Sequence, residues 1–176
     1  MKIGFFDSGL GGLTILKAVV QALPQYDYLF YGDTANLPYG DRSEDDIYDL
    51  TRTGMRHLFE RGALLNIIAC NTASAETVKK LQHEFLPQEY PDRRILGVIV
   101  PTVEMLEPKQ QTDVLLIATS RTVESGKYQM ELDNTNRDNI TLRSLATPQL
   151  APLIELGEIS AAAEEATIQI EGAGES

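Results

Sequence analysis

Short apolar runs alternate with helical patterns along nearly the whole chain, and this alternation constrains the fold more than any other feature. Six runs are typical of β-strands: Ile3 to Phe6, Tyr28 to Tyr31, Leu64 to Ala69, Ile95 to Val100, Val114 to Ala118 and Ile140 to Leu145. Between most of them, apolar residues recur at helical spacing. Strands that alternate with helices form a mostly parallel sheet covered by helices. The sequence therefore predicts an α/β fold, in which the continuously apolar third run is buried on both faces.

Polar clusters stand where the predicted strands end. They are Asp7-Ser8, Asp33-Thr34, Cys70-Asn71-Thr72 and Thr119 to Thr122. Parallel α/β sheets bind their ligands beyond the carboxyl ends of the strands. The sequence therefore predicts a ligand site at this edge of the sheet.

Cys70 is the strongest candidate for chemistry at this edge, because it stands between a predicted strand and a predicted helix. The partial positive charge of a helix N-terminus favours the thiolate form of a cysteine, and backbone N–H groups there can hold a carboxylate. The alternative is a buried cysteine that only fills the core, but polar Asn71 and Thr72 beside it favour a site. Asp7 leaves two possibilities open: holding an ammonium group or tuning the thiol, and capping the turn into the first helix.

Composition and charge exclude several classes of function. The formal net charge of −11 argues against a nucleic-acid partner, and no apolar run approaches the roughly 18 residues that span a bilayer. One cysteine allows no intramolecular disulfide and suits a reducing compartment, so we expect a cytoplasmic protein. A metal site needs more ligands than His57 and His83 supply.

Four ordered motifs closely resemble the glutamate racemases of the aspartate/glutamate racemase family. They are Phe6-Asp7-Ser8-Gly9-Leu10-Gly11-Gly12-Leu13, Tyr31-Gly32-Asp33-Thr34-Ala35, Leu37-Pro38-Tyr39-Gly40 and Ala69-Cys70-Asn71-Thr72-Ala73-Ser74. The segment from Ala118 to Val123 continues the match, which runs to about residue 157.

The resemblance implies a cofactor-independent isomerase without a metal, which interconverts L- and D-glutamate. Two cysteines on opposite sides of the substrate remove and return its α-proton, and the D-glutamate feeds peptidoglycan synthesis, cell-wall biogenesis and cell shape. The family fold has two flavodoxin-like α/β domains that face each other across a cleft. For the full-length family, a homodimer is a possible assembly.

The same resemblance assigns roles to individual residues. Cys70 matches the first catalytic thiol, with Asp7 beside it. The positions that match substrate-binding residues are Asp7, Ser8, Tyr39, Gly40, Asn71, Thr72, Thr119 and Thr122. Glu155 matches an acidic position near the site. Residues 1–96 would form the first domain and residues 97–176 part of the second. The residues themselves, apart from the resemblance, indicate a candidate linker from Pro87 to Arg94, which is polar and contains two prolines, and a frayed acidic tail from Glu171.

One departure from the family affects the expected activity. The second catalytic cysteine of the family belongs to a later Cys-Thr-His motif, and these 176 residues contain only Cys70. We therefore expect a truncated racemase with little or no net racemisation, and one-sided α-proton exchange that favours the D-enantiomer. Three alternatives stay open: a non-catalytic protein that binds an amino acid or dicarboxylate, a racemase for aspartate or another amino acid, and an unstable fragment with exposed sheet edges in its second half.

Overall fold

The computed structural model describes residues 1–106, 112–135 and 139–174. It divides into two compact units, Met1–Val98 and Ile99–Ser176. Each unit is described by itself below.

Four parallel strands form the sheet of the first unit. They are β1 (Lys2–Asp7), β2 (Asp27–Gly32), β3 (Ala63–Ile68) and β4 (Arg94–Gly97). Its helices are α1 (Gly12–Ala22), α2 (Glu44–Glu60), α3 (Asn71–Lys80) and the short α4 (Leu86–Glu89). The strand order is β2-β1-β3-β4, and each neighbouring pair is parallel. This order matches the first four strands of a flavodoxin-like sheet, and it confirms the predicted α/β class with a parallel sheet.

Strand β1 lies inside the sheet and contributes to both of its buried faces, because successive side chains of a strand point to opposite sides. Ile3 and Phe5 pack with partly buried side chains of α1. Phe6 belongs to the larger core on the other face, with side chains of α2 and α3. Helices on both faces are what a buried parallel sheet requires. Strand β2 is added on one side of β1, and β3 and β4 are added on the other side. The carboxyl ends of β1 and β3 therefore form the topological switch point of the sheet.

Local signals explain where the helices begin and end. The Ser43 hydroxyl accepts a hydrogen bond from the Asp46 backbone N–H at 3.1 Å and donates one to the Asp46 carboxylate at 2.7 Å, and this capping pair starts α2. Helix α2 ends before Gly62, whose φ is +91°. Helix α3 begins at Asn71, because Cys70 caps it. A π-helical turn (Leu81–Phe85) joins α3 to α4.

Three sequence-based expectations for this unit are wrong. The fourth strand ends at Gly97 instead of Val100, and a helix, α5 (Ile99–Glu104), follows. The candidate linker from Pro87 to Arg94 is no linker, because it begins inside α4 and ends in β4, which pairs with β3. Strand β3 is not buried throughout, since Leu64 is 43% exposed. The pairing of β1 with β3 passes from Ala63 to Leu65, so Leu64 falls at a register shift.

The second unit contains a two-stranded parallel sheet, which includes the predicted sixth strand. Its strands are β5 (Thr112–Ala118) and β6 (Ile140–Ala146), and its helices are α5, α6 (Ser120–Glu124), α7 (Lys127–Asp133), α8 (Leu150–Glu155) and α9 (Ile159–Gly174). An apolar cavity of about 170 Å³ is lined by residues of α5, the sheet and α7, among them Val103, Leu116 and Tyr128.

The helical segment after β6 is interrupted, and apolar side chains are exposed around the interruption. Gly157, with φ at +79°, separates α8 from α9. Ile154, Leu156 and Ile159 are 51%, 78% and 63% exposed. Helix α9 continues to Gly174, past Glu171 where the frayed tail is expected to begin, and residues 175 and 176 lie outside the described residues.

In the part of the chain that the structure describes, no helix combines the length and the apolar character needed to cross a membrane.

Candidate active site

Cys70 stands directly after β3 and caps the N-terminus of α3. Its Sγ accepts a hydrogen bond from the Ala73 backbone N–H at 3.4 Å, and its carbonyl accepts one from the Ser74 N–H at 2.8 Å. The residue is 6% exposed and belongs to the core cluster that also contains Phe6 and Tyr39. The thiol is therefore held in one place by the start of the helix.

Ser8 connects the end of β1 to this thiol. Its hydroxyl lies 3.3 Å from the Cys70 Sγ, at hydrogen-bonding distance, with either atom able to donate. The backbone joins the two strand ends as well, since the Ala69 N–H donates to the Phe6 carbonyl at 2.8 Å. The switch point of the sheet thus brings Ser8 and Cys70 together, as predicted from the polar clusters after β1 and β3.

Asp7 is buried beside the same thiol. Its Oδ2 accepts a hydrogen bond from the Gly12 backbone N–H at 2.8 Å, so the carboxylate satisfies a donor at the start of α1. This is the capping role that the sequence left open. It does not exclude the other role, because Asp7 also acts electrostatically on Cys70.

The pKa of the Cys70 thiol is raised, first because burial disfavours the thiolate and second because the Asp7 charge repels it. The Ser8 hydroxyl and the backbone N–H groups of Ala73 and Ser8 act in the opposite direction without overcoming burial. The start of the helix therefore favours the thiolate, as expected, but its contribution is too small to lower the pKa of this thiol in the protein by itself. Desolvation of a buried sulfur outweighs the partial charge of the helix end.

A second buried carboxylate, Asp33, stands at the end of β2. Its Oδ2 accepts a hydrogen bond from the Tyr39 hydroxyl at 2.7 Å, and its two oxygens lie 2.9 and 3.1 Å from the Asn36 amide nitrogen. The Tyr39 ring is 2% exposed, and its centre lies 6.3 Å from that of Phe6. Gly40 is half-buried in the loop that follows.

Sequence reasoning placed Asp33 at this edge of the sheet but gave it no role in the site, and it missed Asn36. The position of Asp33 in the sequence could have indicated a role in the site. Asp33 stands at the end of β2, just as Asp7 and Cys70 stand at the ends of β1 and β3. Its Tyr39 partner is six residues away across an irregular segment, and no period in the sequence marks that contact.

The start of α3 supplies the next predicted residues. Asn71 is exposed and Thr72 is buried. Ser74, 3% exposed, donates its hydroxyl to the Ile68 carbonyl at 2.8 Å and accepts the Val98 N–H at 3.3 Å, which ties the ends of β3 and β4 to α3. The first turn of α3 thus contains both the predicted ligand-binding residues Asn71 and Thr72 and a serine, Ser74, with a structural role.

The remaining predicted residues belong to the second unit. Thr119 caps α6, and its hydroxyl accepts the Thr122 N–H at 3.3 Å and lies 3.0 Å from the Thr122 hydroxyl. Thr122 is buried, whereas Glu155 is exposed at the last position of α8. The two threonines therefore form a local pair at the start of α6, whereas Glu155 belongs to a different helix, α8.

Within the three described ranges, no group of three or more His, Cys, Asp or Glu side chains is arranged to hold a metal ion.

Comparison with known proteins first defines the class of fold. No protein-family model matches the chain. The solved structure of an aspartate racemase from Picrophilus torridus matches 99% of the chain and 77% of its own length, with a TM-score of 0.66 at 18% identity. At that identity the match shows only that the two chains share a fold.

Matches at higher identity define the family. A glutamate racemase from Jannaschia sp. is 48% identical over 143 residues, which cover 75% of this chain and 52% of the relative. One from Caulobacter sp. is 41% identical over 175 residues, covering 89% and 62%. The solved glutamate racemase of Aquifex pyrophilus matches with a TM-score of 0.75 at 39% identity, over 87% of this chain and 57% of its own. This chain belongs to the glutamate racemase family.

The chain spans about half to three fifths of the length of these curated relatives. A further solved relative, the glutamate racemase of Francisella tularensis, was determined in complex with D-glutamate. It matches with a TM-score of 0.77 at 32% identity, over 89% of this chain and 56% of its own.

Proposed function

We propose that this chain provides the substrate-binding edge and one proton-transferring thiol of a glutamate racemase, an isomerase that acts at the α-carbon of glutamate. The observation that carries the proposal is the Cys70 thiol at the β1/β3 switch point, 3.3 Å from the Ser8 hydroxyl and close to the buried Asp7 carboxylate. Ligands of parallel α/β sheets bind at such a point.

The proposed step at Cys70 is a reversible proton transfer. The thiolate takes the α-proton and forms an S–H bond, while the electron pair of the broken C–H bond stays on the α-carbon. The weak acidity of that proton requires a positioned base and a field that stabilises the carbanion. Backbone N–H groups at the start of α3 are suited to the substrate carboxylate. An ammonium group near Asp7 would offset the negative charge that now disfavours the thiolate.

The further residue assignments belong to the same proposal. In the first unit, the residues proposed to bind substrate are Asp7, Ser8, Tyr39, Gly40, Asn71 and Thr72. Thr119 and Thr122 are proposed to hold the carboxylate from the second domain, and Glu155 is proposed as an acidic neighbour of the site. The proposed domains are residues 1–96, the first racemase domain, and 97–176, part of the second.

The relatives favour glutamate over aspartate as the substrate. The curated relatives described above carry the name glutamate racemase at 41% and 48% identity, whereas the aspartate racemase shares the fold at 18%. The proposal extends to D-glutamate supply for peptidoglycan, to a homodimer of the whole protein, and to the cytoplasm, where a free thiol such as that of Cys70 stays reduced.

The experiment that tests this function compares substrates in D₂O by ¹H NMR. We expect the α-proton signal of D-glutamate to decay while the recovered amino acid keeps the D-configuration, because one thiol returns a deuteron to the face from which it took the proton. L-glutamate and D-aspartate should exchange far more slowly. Equal exchange of both glutamate enantiomers would contradict the one-thiol proposal, and preferential exchange of aspartate would contradict the choice of substrate.

Calorimetry with D-glutamate separates the enzyme from a non-catalytic binding protein. Heat of binding together with exchange supports the racemase. Binding without exchange, in a chain whose circular dichroism matches a folded α/β protein, would favour the binding protein instead.

A further inference from the structure

We infer that Asp33 is a positioning residue that acts on the candidate site through the Tyr39 hydroxyl, an inference that rests on the proposed substrate-binding role of Tyr39. Asp33 is 6% exposed and follows β2, and its own backbone N–H donates to the Asp7 carbonyl at 2.9 Å. Its carboxylate is therefore fixed relative to the strand end that carries Asp7 and Ser8.

The hydrogen bonds around Asp33 account for its burial. A buried carboxylate is strongly destabilising unless donors satisfy its oxygens, and here the phenol of Tyr39 and the amide of Asn36 do so at 2.7 to 3.1 Å. Both donors are neutral groups, and hydrogen bonds to an ionised acceptor are stronger than neutral pairs. The Arg42 Nε also donates to the Asn36 carbonyl at 2.8 Å, which holds the segment between Asp33 and Tyr39 from its other side.

The direction of the Tyr39 hydrogen bond has a chemical consequence. The phenol has one proton to donate and lone pairs with which to accept. Because the proton is directed to Asp33, the lone pairs are left to accept a hydrogen bond. Tyr39 and Cys70 are buried in one core cluster, and Cys70 acts electrostatically on the Tyr39 phenol. We therefore expect an ammonium donor bound beside Cys70 to find an acceptor in the Tyr39 hydroxyl. An unrestrained phenol could instead present its proton, which an ammonium group cannot accept.

The protonation state of Tyr39 agrees with this arrangement. Burial raises its pKa first, and the hydrogen bond and negative charge of Asp33 raise it further, with smaller contributions from the charges of Cys70 and Tyr31. Tyr39 thus stays a neutral phenol at physiological pH.

The first arm of the test needs no ligand. The chain is labelled with ¹³C at Tyr Cζ, the Tyr39 signal is assigned with Tyr39→Phe, and its titration is followed to high pH. In the wild type we expect no titration near 10.0, the ordinary tyrosine pKa, and in Asp33→Asn we expect a lower pKa than in the wild type. Asp92→Asn, the same change at an exposed turn residue, should leave the signal unmoved.

Two results of this arm would overturn the inference. The first is a wild-type Tyr39 that titrates as an ordinary tyrosine, which decides the matter even if Asp33→Asn fails to fold. The second is a Tyr39 pKa that stays the same in a folded Asp33→Asn variant.

The second arm is a double-mutant cycle with D-glutamate. We expect Asp33→Asn to weaken binding about fivefold, as for one misplaced neutral hydrogen bond, with the exchange rate at saturation within about twofold of the wild type. Because Asp33 acts through the hydroxyl, adding Asp33→Asn to Tyr39→Phe should change binding no further. Additive losses, or a loss confined to the saturated rate, would overturn the inference.

The two arms separate the two hypotheses. If the wild type neither binds D-glutamate nor exchanges its α-proton, the proposed function fails, while the tyrosine titration still decides whether Asp33 controls Tyr39.

Discussion

Replacing Gly54 by alanine tests how closely α2 must approach the strand that carries Asp7. A Cβ at Gly54 would lie 2.4 and 2.5 Å from the Phe6 Cδ2 and Cε2 atoms and 3.2 Å from the Tyr31 Cδ1. Ordinary carbon contacts are about 3.5 to 4.0 Å, so the Phe6 ring would have to move by roughly 1 Å. That ring is fully buried, and its centre lies 5.8 Å from the stacked Tyr31 ring.

Two effects of opposite sign compete in this variant. Alanine in place of glycine favours a helix by about 1 kcal/mol, whereas overpacking a core typically costs about 1 to 3 kcal/mol. Because the overlap is more than 1 Å and the ring has no exposed side, we expect the upper part of that range. The net result should be a loss of about 1 to 2 kcal/mol in the free energy of unfolding.

Urea unfolding measures this loss, followed by tyrosine fluorescence, since all tyrosines but Tyr128 lie in the first unit. Gly172→Ala is the matched control, because a Cβ there meets nothing within 4 Å and should not reduce stability. Phe6→Leu should relieve part of the loss when combined with Gly54→Ala. A Gly54→Ala protein as stable as the wild type would refute the reasoning.

Further predictions concern stability and pH. Ser74→Ala leaves the Ile68 carbonyl and the Val98 N–H without their shared hydrogen-bond partner, and it should lower the free energy of unfolding by about 2 kcal/mol. The loss is measured in urea, with Ser160→Ala at an exposed position as the control. An equally stable Ser74→Ala protein would contradict the structural role of this hydroxyl. The rate at which iodoacetamide alkylates Cys70 should rise with pH, and the midpoint of this rise should be higher than for N-acetylcysteine, because the pKa of the buried thiol is raised. Asp7→Asn should lower this midpoint. An unchanged midpoint in that variant would contradict the role of the Asp7 charge. The pKa of Tyr39 is raised in the folded state, so ionisation of this phenol favours unfolding. The contribution of Tyr39 to the free energy of unfolding should therefore be complete below pH 10.0, the ordinary tyrosine pKa. It should be lost as the pH rises above that value. Tyr39→Phe should show a shallower alkaline loss in thermal melts, and an equal slope would refute this.

The fold could be predicted from sequence wherever a local pattern determined it. The apolar runs predicted the strands, because a strand that is buried in the sheet needs consecutive apolar residues. Helix α5 was missed because its residues continue the apolar run of β4, and periodicity does not separate a short helix from a strand there. The exposure of Leu64 arises from a register shift between two strands, which depends on the partner strand.

The candidate site was partly predictable for the same reason. Polar residues at strand ends pointed to Asp7, Ser8 and Cys70, and the sheet brings their segments together. The hydrogen bond between Asp33 and Tyr39 is a tertiary contact, and sequence gave no measure of it. The direction of the Cys70 pKa was also out of reach, because it depends on how much desolvation outweighs the helix N-terminus.

The central claim is that Cys70 is the base for the α-proton of glutamate. The most direct measurement is the rate of deuterium incorporation into D-glutamate by the wild type and by Cys70→Ser, with binding checked by calorimetry. We expect the Cys70→Ser protein to bind D-glutamate but to incorporate no deuterium. The rate of incorporation by the wild type should rise with pH as the thiolate forms. Equal incorporation by the two proteins would contradict the claim.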